Sequence, residues 1–162
     1  NKATLSYDYG WILTSVLDNL LDKYLDSMHT LIYFDACEIG AMKKLADEDS
    51  EAGRLVIMSS NTSTEAPNVP GYGAVYSYYF TRELYRSYYE EETYLSLEEI
   101  FYKIEESGLY DPVYRYYCWD GYGWIEIEIP VDSTIQDNYY GSMYLYESGL
   151  SGSSGSGGIT VL

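Results

Sequence analysis

The stretch TLIYFDACEIGAMKK, residues 30–44, decides the fold. Its first five residues are apolar or β-branched, and a run of this length predicts a buried strand. Residues 40–46 have the pattern of a short helix, and RLVIMSS, residues 54–60, has the pattern of a second buried strand. A helix between two buried strands is the βαβ unit of a parallel sheet, so the sequence predicts an α/β fold.

The segments on either side predict the remaining elements. Before the first strand, apolar residues recur at three- and four-residue spacing from Leu13 to Met28, which predicts an amphipathic helix with Asp18 and Asp22 on its polar side. After the second strand, two further helices are predicted, and Ser96 begins the second with a capping box. These helices cover residues 74–91 and 96–108, and the predicted strands that follow cover residues 113–119, 124–131 and 142–146.

Length and composition set limits on function. The 162 residues suffice for one domain with a substantial core, assigned to residues 1–147, and residues 148–162 form a Gly/Ser-rich linker and tail. The net charge of −17 argues against nucleic acid as a partner, because phosphates would be repelled. No apolar run is long enough to span a membrane. Two cysteines form neither a disulfide framework nor a metal site, and no cofactor is predicted.

Cys37 is the residue to which chemistry is most easily assigned. In open α/β sheets, sites form beyond the carboxyl ends of the parallel strands, and Cys37 follows the first predicted strand there. The positive end of a following helix favours a nucleophilic thiolate, although Asp35 and Glu38 oppose that effect. Cysteine is also among the most buried residue types, so a structural thiol is the alternative at this position.

The segment IYFDACEIGAM, residues 32–42, resembles the nucleophile segment of the caspase-like (clan CD) cysteine peptidases. The legumain type, with its relative the GPI-transamidase subunit, is the most similar: DACEIGAM, residues 35–42, corresponds to its motif EACESGSM. Ile39 departs from the small residue common at its position. Residues 55–67 and 71–84 are similar to the strand, loop and helix that follow in this family. The resemblance covers residues 30–86 and implies a caspase-like three-layer sandwich with a mainly parallel central sheet and a β-rich C-terminal third.

The resemblance implies a cysteine endopeptidase in which the Cys37 thiolate attacks a peptide carbonyl and a histidine transfers the protons. The sequence contains one histidine, His29, at the far end of the Cys37 strand, where it is expected to be a helix-terminal or surface residue. Caspase-like enzymes carry the catalytic His-Gly about 50 residues before the cysteine. We therefore expect the base on a segment or chain that precedes Asn1, and an incomplete sheet edge beside the Cys37 strand without that segment.

The resemblance also implies residues that bind substrate. Glu38, Ser59 and Ser60 match positions that line the pocket for the residue before the cut in legumain-like enzymes, and Glu65 is a weaker candidate. An acidic floor would favour a basic or amide-bearing side chain. Ordinary turn chemistry is the alternative for the two serines. Cys118, where the resemblance fades, is predicted to be structural.

Three interpretations therefore remain. The first is a peptidase that acts on peptide or protein substrates. The second is a caspase-like relative without activity that serves binding or assembly. The third is an extracellular structural subunit, for which the acidity, the 22 tyrosines and the Gly/Ser-rich tail would be suited. The same features favour an extracellular or cell-surface location.

Overall fold

A computed structural model describes residues 3–6, 10–25, 29–47, 53–69, 73–145 and 159–161. The helical elements are α1 (Thr14–Tyr24), a 3₁₀ helix (Ile39–Ala46), α2 (Val75–Tyr85) with a π-helical continuation (Arg86–Glu90), and α3 (Leu97–Glu106). The strands are β1 (Ala3–Ser6), β2 (Gly10–Leu13), β3 (His29–Phe34), β4 (Arg54–Met58), β5 (Asn68–Val69), β6 (Gly73–Ala74), β7 (Val113–Trp119), β8 (Trp124–Pro130), β9 (Thr134–Asp137) and β10 (Ile159–Val161). Within these ranges, every helix is too short or too polar to cross a membrane.

The strands form small sheets, and the α/β class predicted from the sequence is confirmed. The largest sheet has the order β10-β3-β4-β9, and the described residues also form three two-stranded sheets. β3 is parallel to both β10 and β4, whereas β9 runs antiparallel to β4. β3 and β4 lie together because both are continuous apolar runs, which suit strands covered on both faces.

Helical elements pack against both faces of the four-stranded sheet. On one face, Leu31 of β3 and Leu55 and Ile57 of β4 join a core with residues of α2 and α3. On the other face, Ile32 and Val56 join a core with residues of α1 and the 3₁₀ helix. Alternate strand residues point to opposite faces, so both faces of β3 and β4 must be apolar. The end of β3 therefore emerges between two packed layers.

The capping box predicted at the start of α3 is confirmed. The Ser96 hydroxyl accepts a hydrogen bond from the Glu99 N–H, and the Glu99 carboxylate accepts one from the Ser96 N–H. The strands predicted over residues 113–119 and 124–131 are also present, and as β7 and β8 they pair antiparallel in a hairpin, from Val113–Pro130 to Trp119–Trp124.

Several predicted elements were wrong. Residues 142–145 form no strand, and residue 146 lies outside the described residues. Met143 is instead buried, with its N–H bound to the Glu98 carboxylate and its carbonyl bound to the Leu97 N–H, so its backbone groups are satisfied by the start of α3. β9 was not predicted, and it pairs with the outer side of β4.

The polar and apolar sides of α1 differ from the prediction. The helix begins at Thr14, and Leu20 and Tyr24, two members of the apolar series between Leu13 and Met28, are exposed. Asp18 and Asp22 instead turn toward the guanidinium of Arg54, which is almost fully buried at the start of β4. A buried cation requires anionic partners, so these ion pairs favour the observed rotation of the helix, which also places Leu21 in the core.

The edge of β3 also differs from the expectation of an unpaired strand. Ile159–Val161, part of the predicted tail, form β10 and pair with His29–Leu31. Among the described residues, Ile32–Phe34 have no strand partner on that side. The covered part of the edge is therefore the part farther from Cys37.

Candidate active site

Cys37 lies in a turn immediately beyond the carboxyl end of β3. Asp35 and Ala36 leave the strand, Cys37 and Glu38 form the turn, and the 3₁₀ helix begins at Ile39. The Cys37 side chain is exposed and forms no disulfide. The location predicted from the sequence, at the tip of a parallel strand, is therefore the location observed.

A backbone amide is directed at the sulfur of Cys37. The N–H of Ala66 donates to Cys37 Sγ over 3.2 Å, and the Cys37 thiol lies 3.8 Å from the Ala66 carbonyl oxygen. An N–H donor is complementary to a sulfur that carries negative charge. The loop after β4 thus supplies the side chain's immediate polar environment.

Ser59 and Ser60 lie beneath this turn. Both are fully buried, and the Ser59 hydroxyl accepts a hydrogen bond from the Ala36 N–H over 3.2 Å. The Ser60 hydroxyl donates to the Ala36 carbonyl over 2.6 Å and accepts from the Ile39 N–H over 3.3 Å. In this structure both hydroxyls bind the backbone of the Cys37 turn and do not face an open pocket.

Glu38 has a backbone conformation that is uncommon for a residue other than glycine. Its φ of 54° and ψ of 28° place it in the left-handed region. Its N–H donates to the Thr64 carbonyl over 2.9 Å, and its side chain is exposed, as is that of Glu65. Both predicted acidic residues therefore point toward solvent near the Cys37 turn.

The loop that follows β4 is internally ordered by Asn61. Its side-chain oxygen accepts hydrogen bonds from the Ser63 N–H over 2.7 Å and from the Thr64 hydroxyl over 3.2 Å. Its side-chain amide donates to the Asp132 carboxylate. The loop that carries Ala66 is thus held by hydrogen bonds within the loop and by one hydrogen bond to Asp132.

Gly40 is required where the Cys37 turn meets this loop. A Cβ at position 40 would lie 2.6 Å from both the Asn61 carbonyl carbon and the Thr62 nitrogen. These are backbone atoms, so no side chain can rotate away to make room.

Gly40→Ala is therefore expected to destabilise the protein by about 1–3 kcal/mol, because the two loops must separate. Urea denaturation measures the change. Gly123→Ala is the matched control, since nothing lies within 4 Å of its Cβ position, and it should leave stability nearly unchanged. Equal effects of the two substitutions would show that the close approach at Gly40 has no energetic consequence.

Asp35 connects the Cys37 turn to α2. One carboxylate oxygen accepts hydrogen bonds from the Ser77 N–H over 2.9 Å and from the Ser77 hydroxyl over 2.6 Å. Ser77 lies in the first turn of α2, where unpaired N–H groups and the helix dipole favour an anion. The charge of Asp35 is therefore directed at the helix and not at the thiol.

His29 and Cys118 lie away from this turn. His29 begins β3 and makes an edge contact with Tyr139, with ring centroids 5.7 Å apart. It is half-buried at the start of a strand, so the prediction of a helix-terminal or surface position was wrong. Five residue steps of about 3.3 Å separate it from the end of β3. Cys118 is half-buried on β7, opposite Ile125.

The Glu105 carboxyl of α3 lies among other acidic groups, one of which, Asp132, accepts the hydrogen bond of the Asn61 side chain. Burial, together with the charges of Asp111, Asp132 and Glu106, raises the pKa of the Glu105 carboxyl to about 7. The usual value is 4.5, so folding favours the protonated form. The resulting stabilisation is present below pH 4.5 and is lost as the pH rises through about 7.

Glu105→Gln is therefore expected to stabilise the protein at pH 8 and to have little effect at pH 4.5. Solvent screens the half-buried carboxyl, so we expect a gain of roughly 1 kcal/mol at pH 8. Urea denaturation at both pH values measures it, with Glu92→Gln as an exposed control of the same charge outside this acidic group. A gain of the same size at both pH values would contradict the assigned cause.

A cavity elsewhere in the molecule does not include the predicted site. It measures about 260 Å³, and its lining residues are Val69, Gly73, Ala74, Val75, Tyr78, Tyr79 and Tyr114. Cys37, Glu38, Ser59 and Ser60 are not among them. In the described ranges, no three His, Cys, Asp or Glu side chains are grouped so that they could hold a metal ion. The site is therefore an open turn that carries a thiol.

Sequence reasoning identified the side chains of this site but missed its backbone donors. The Ala66 N–H gives no sequence signal, because any residue except proline supplies the same group. Ser77 was also missed, although its place in the first turn of a predicted helix could have identified it as a partner for an anion. A comparison of the chain with protein-family models, curated protein sequences and solved structures found no match.

Proposed function

We propose that this chain is the nucleophile-bearing part of a cysteine endopeptidase. One observation carries the proposal: Cys37 is exposed at the carboxyl end of a parallel strand, with the Ala66 N–H directed at its sulfur. A structural thiol would be expected in the core, where cysteine most often lies. The DACEIGAM motif, which resembles the legumain-type nucleophile segment, supports the same assignment.

In this proposal, the Cys37 thiolate attacks the carbonyl carbon of the scissile peptide bond and forms an acyl-enzyme, which water then hydrolyses. A histidine on a segment that precedes Asn1 accepts the thiol proton and delivers a proton to the leaving amine. Backbone N–H groups near Cys37 stabilise the oxyanion. His29 is excluded as the base because it lies at the opposite end of β3.

The proposal includes a caspase-like sandwich with a mainly parallel central sheet. The parallel pairing of β10, β3 and β4 and the helical layers on both faces of the sheet support this arrangement. The antiparallel strand β9 ends the sheet on one side. The other edge, beside Ile32–Phe34, is where the histidine-bearing segment would add its strands.

Glu38 is proposed to select a basic or amide-bearing side chain before the cut, because its exposed carboxylate follows the nucleophile directly. The resemblance predicts that Ser59 and Ser60 line the same pocket. In this proposal they act indirectly, because their hydroxyls bind the backbone of the turn that carries Glu38. The setting proposed for the enzyme is extracellular or at the cell surface.

The proposal is tested by selective alkylation of the two thiols, with the histidine-bearing segment present. A peptidyl electrophile is expected to label Cys37 at least about tenfold faster than Cys118, because only Cys37 would combine a nucleophilic sulfur with a substrate site. Iodoacetamide, which needs no substrate site, is the control for the exposure and intrinsic nucleophilicity of each thiol. If the peptidyl reagent shows no greater preference for Cys37 than iodoacetamide does, the peptidase assignment fails.

A binding or structural subunit without activity is the second candidate function. It is favoured by the β7–β8 hairpin, whose tip exposes Tyr117, Trp119, Tyr122 and Trp124. Exposed aromatic side chains are common at protein interfaces. Retained partner binding after Cys37→Ala, together with no cleavage of peptides by the unmodified protein, would select this function.

A further inference from the structure

We propose that Ser60 is a positioning residue for Cys37: its buried hydroxyl bridges the backbone on both sides of the cysteine and fixes the turn that presents the thiol. This inference rests on the proposed function, because positioning matters for catalysis only if Cys37 is the nucleophile. It assigns Ser60 a role that differs from contact with substrate.

The hydrogen bonds of Ser60 enclose the cysteine along the chain. Its hydroxyl donates to the carbonyl of Ala36, the residue before Cys37, over 2.6 Å. It accepts from the N–H of Ile39, two residues after Cys37, over 3.3 Å. A serine hydroxyl has one proton to donate, and the contact with Ala36 is much shorter than the 3.4 Å contact with the Asn61 carbonyl. The donor and an acceptor site of one side chain are thus both committed to the Cys37 turn.

The turn needs such a restraint because it is strained. Glu38, between the two bonded positions, has a φ of 54°, and side chains other than glycine adopt this conformation at an energetic cost. Strained backbone persists only where the surrounding structure holds it, and it is concentrated at functional sites. The Ser60 bonds to Ala36 and Ile39 hold the turn from below, and the Thr64 carbonyl holds the Glu38 N–H from above.

Ser59 does not have the same role. Its hydroxyl accepts one hydrogen bond, from the Ala36 N–H, and so contacts only the side of the turn that precedes Cys37. Its backbone is fixed separately, by its N–H bond to the Phe34 carbonyl and by the Tyr110 hydroxyl bound to its own carbonyl. Ser60, unlike Ser59, binds the backbone on both sides of the cysteine.

The burial of Ser60 distinguishes a positioning role from direct contact with substrate. Ser60 is 0% exposed, so a substrate cannot reach its hydroxyl unless the turn opens. Loss of a residue that only binds substrate would raise KM. Loss of a residue that positions the nucleophile is expected to lower kcat with KM nearly unchanged.

The test compares Ser60→Ala with Ser87→Ala. Ser87 is also 0% exposed, and its hydroxyl accepts from the Leu95 N–H and contacts the Thr93 hydroxyl, so it is a matched buried serine outside the Cys37 turn. Ser60→Ala is expected to slow alkylation of Cys37 by iodoacetamide about tenfold, because a displaced thiol loses the Ala66 N–H that favours its thiolate, with Cys118 as the internal reference. Ser87→Ala should leave the alkylation rate of Cys37 unchanged. Ser60→Thr, which keeps the hydroxyl, should retain most of the alkylation rate that Ser60→Ala loses.

In the protein with its histidine-bearing segment, Ser60→Ala is expected to lower kcat about tenfold at constant KM. A Cys37 alkylation rate that is the same in Ser60→Ala and Ser87→Ala, at equal thermal midpoints, would overturn the proposal. If the unmodified enzyme cleaves no peptide, the proposed function fails, and the alkylation rates still decide whether Ser60 positions Cys37.

A second measurement needs no substitution and applies even if Ser60→Ala fails to fold. The Ile39 N–H, bound to the Ser60 hydroxyl, should exchange with solvent deuterium as slowly as the Ser59 N–H, which is bound to a strand carbonyl. Free exchange at Ile39 would show that the bridge does not persist in solution and would overturn the assignment.

Discussion

If the proposed function holds, replacement of Cys37 by alanine is expected to lower kcat/KM for peptide cleavage by at least about 10³-fold, measured with the proposed histidine-bearing segment present. The physical reason is that alanine removes the atom that would form the acyl-enzyme, so no covalent route remains. Residual hydrolysis would depend on backbone donors and substrate binding alone. Release of a fluorescent leaving group from a peptide substrate measures the loss.

Cys118→Ser is the matched control. Cys118 is half-buried on β7, opposite Ile125, and has no place in the proposed site. Its substitution should leave kcat/KM nearly unchanged. Cys37→Ala should also unfold at nearly the same urea concentration as the unmodified protein, because the exposed thiol contributes little to packing. Retention of most of the activity in Cys37→Ala would show that another group carries the reaction, and the peptidase assignment to this thiol would be abandoned.

The elements that sequence reasoning predicted are those defined by local patterns. β3 and β4 are continuous apolar runs, and α3 begins with a capping box whose two partners are three residues apart. Each signal is contained in about ten residues and does not depend on the rest of the chain. The position of Cys37 followed in the same way, because it depends only on where β3 ends.

The elements that were missed depend on distant partners. β9 contains Gln136 and Asp137 and has no strong apolar pattern, and it is a strand because the outer side of β4 offers unpaired backbone groups. β10 follows a Gly/Ser-rich segment and pairs with a strand more than a hundred residues earlier in the chain. Such pairings depend on backbone hydrogen bonds, which every residue except proline can make.

In the candidate site, too, some features could be predicted from the sequence and others depend on contacts between distant segments. Cys37 was proposed from its place after a predicted strand and from the resemblance, and the two serines from the resemblance alone, but what the serines do depends on burial and on the path of the turn. A hydroxyl after a strand can face a pocket or satisfy a neighbouring backbone, and the sequence left both possibilities open. The close approach of Gly40 to the Asn61 loop could not be predicted either, because it arises where two loops meet in space.

Removal of the charges of Asp18 and Asp22 is expected to cost more stability than removal of Arg54, although both changes break the same ion pairs. The Arg54 side chain is only 5% exposed, whereas those of Asp18 and Asp22 are 31% and 36% exposed. Arg54 also donates to the Leu45 carbonyl over 3.0 Å, which fixes its guanidinium below α1. If the aspartates lose their charge, the buried cation keeps its position and lacks compensation. If the arginine is removed, the aspartates can turn toward water.

The double substitution Asp18→Asn with Asp22→Asn is therefore expected to destabilise the protein by about 3–5 kcal/mol, the usual cost of leaving a buried charge unpaired. Arg54→Met, which fills a similar volume without charge, should cost clearly less, because it leaves no buried charge and the two partly exposed aspartates can turn toward water. Urea denaturation measures both. Glu128→Gln, which breaks the exposed pair with Arg115, is the control and should leave the midpoint nearly unchanged. A larger cost for Arg54→Met than for the double asparagine variant would show that the packing of Arg54, and not its charge, joins α1 to the sheet.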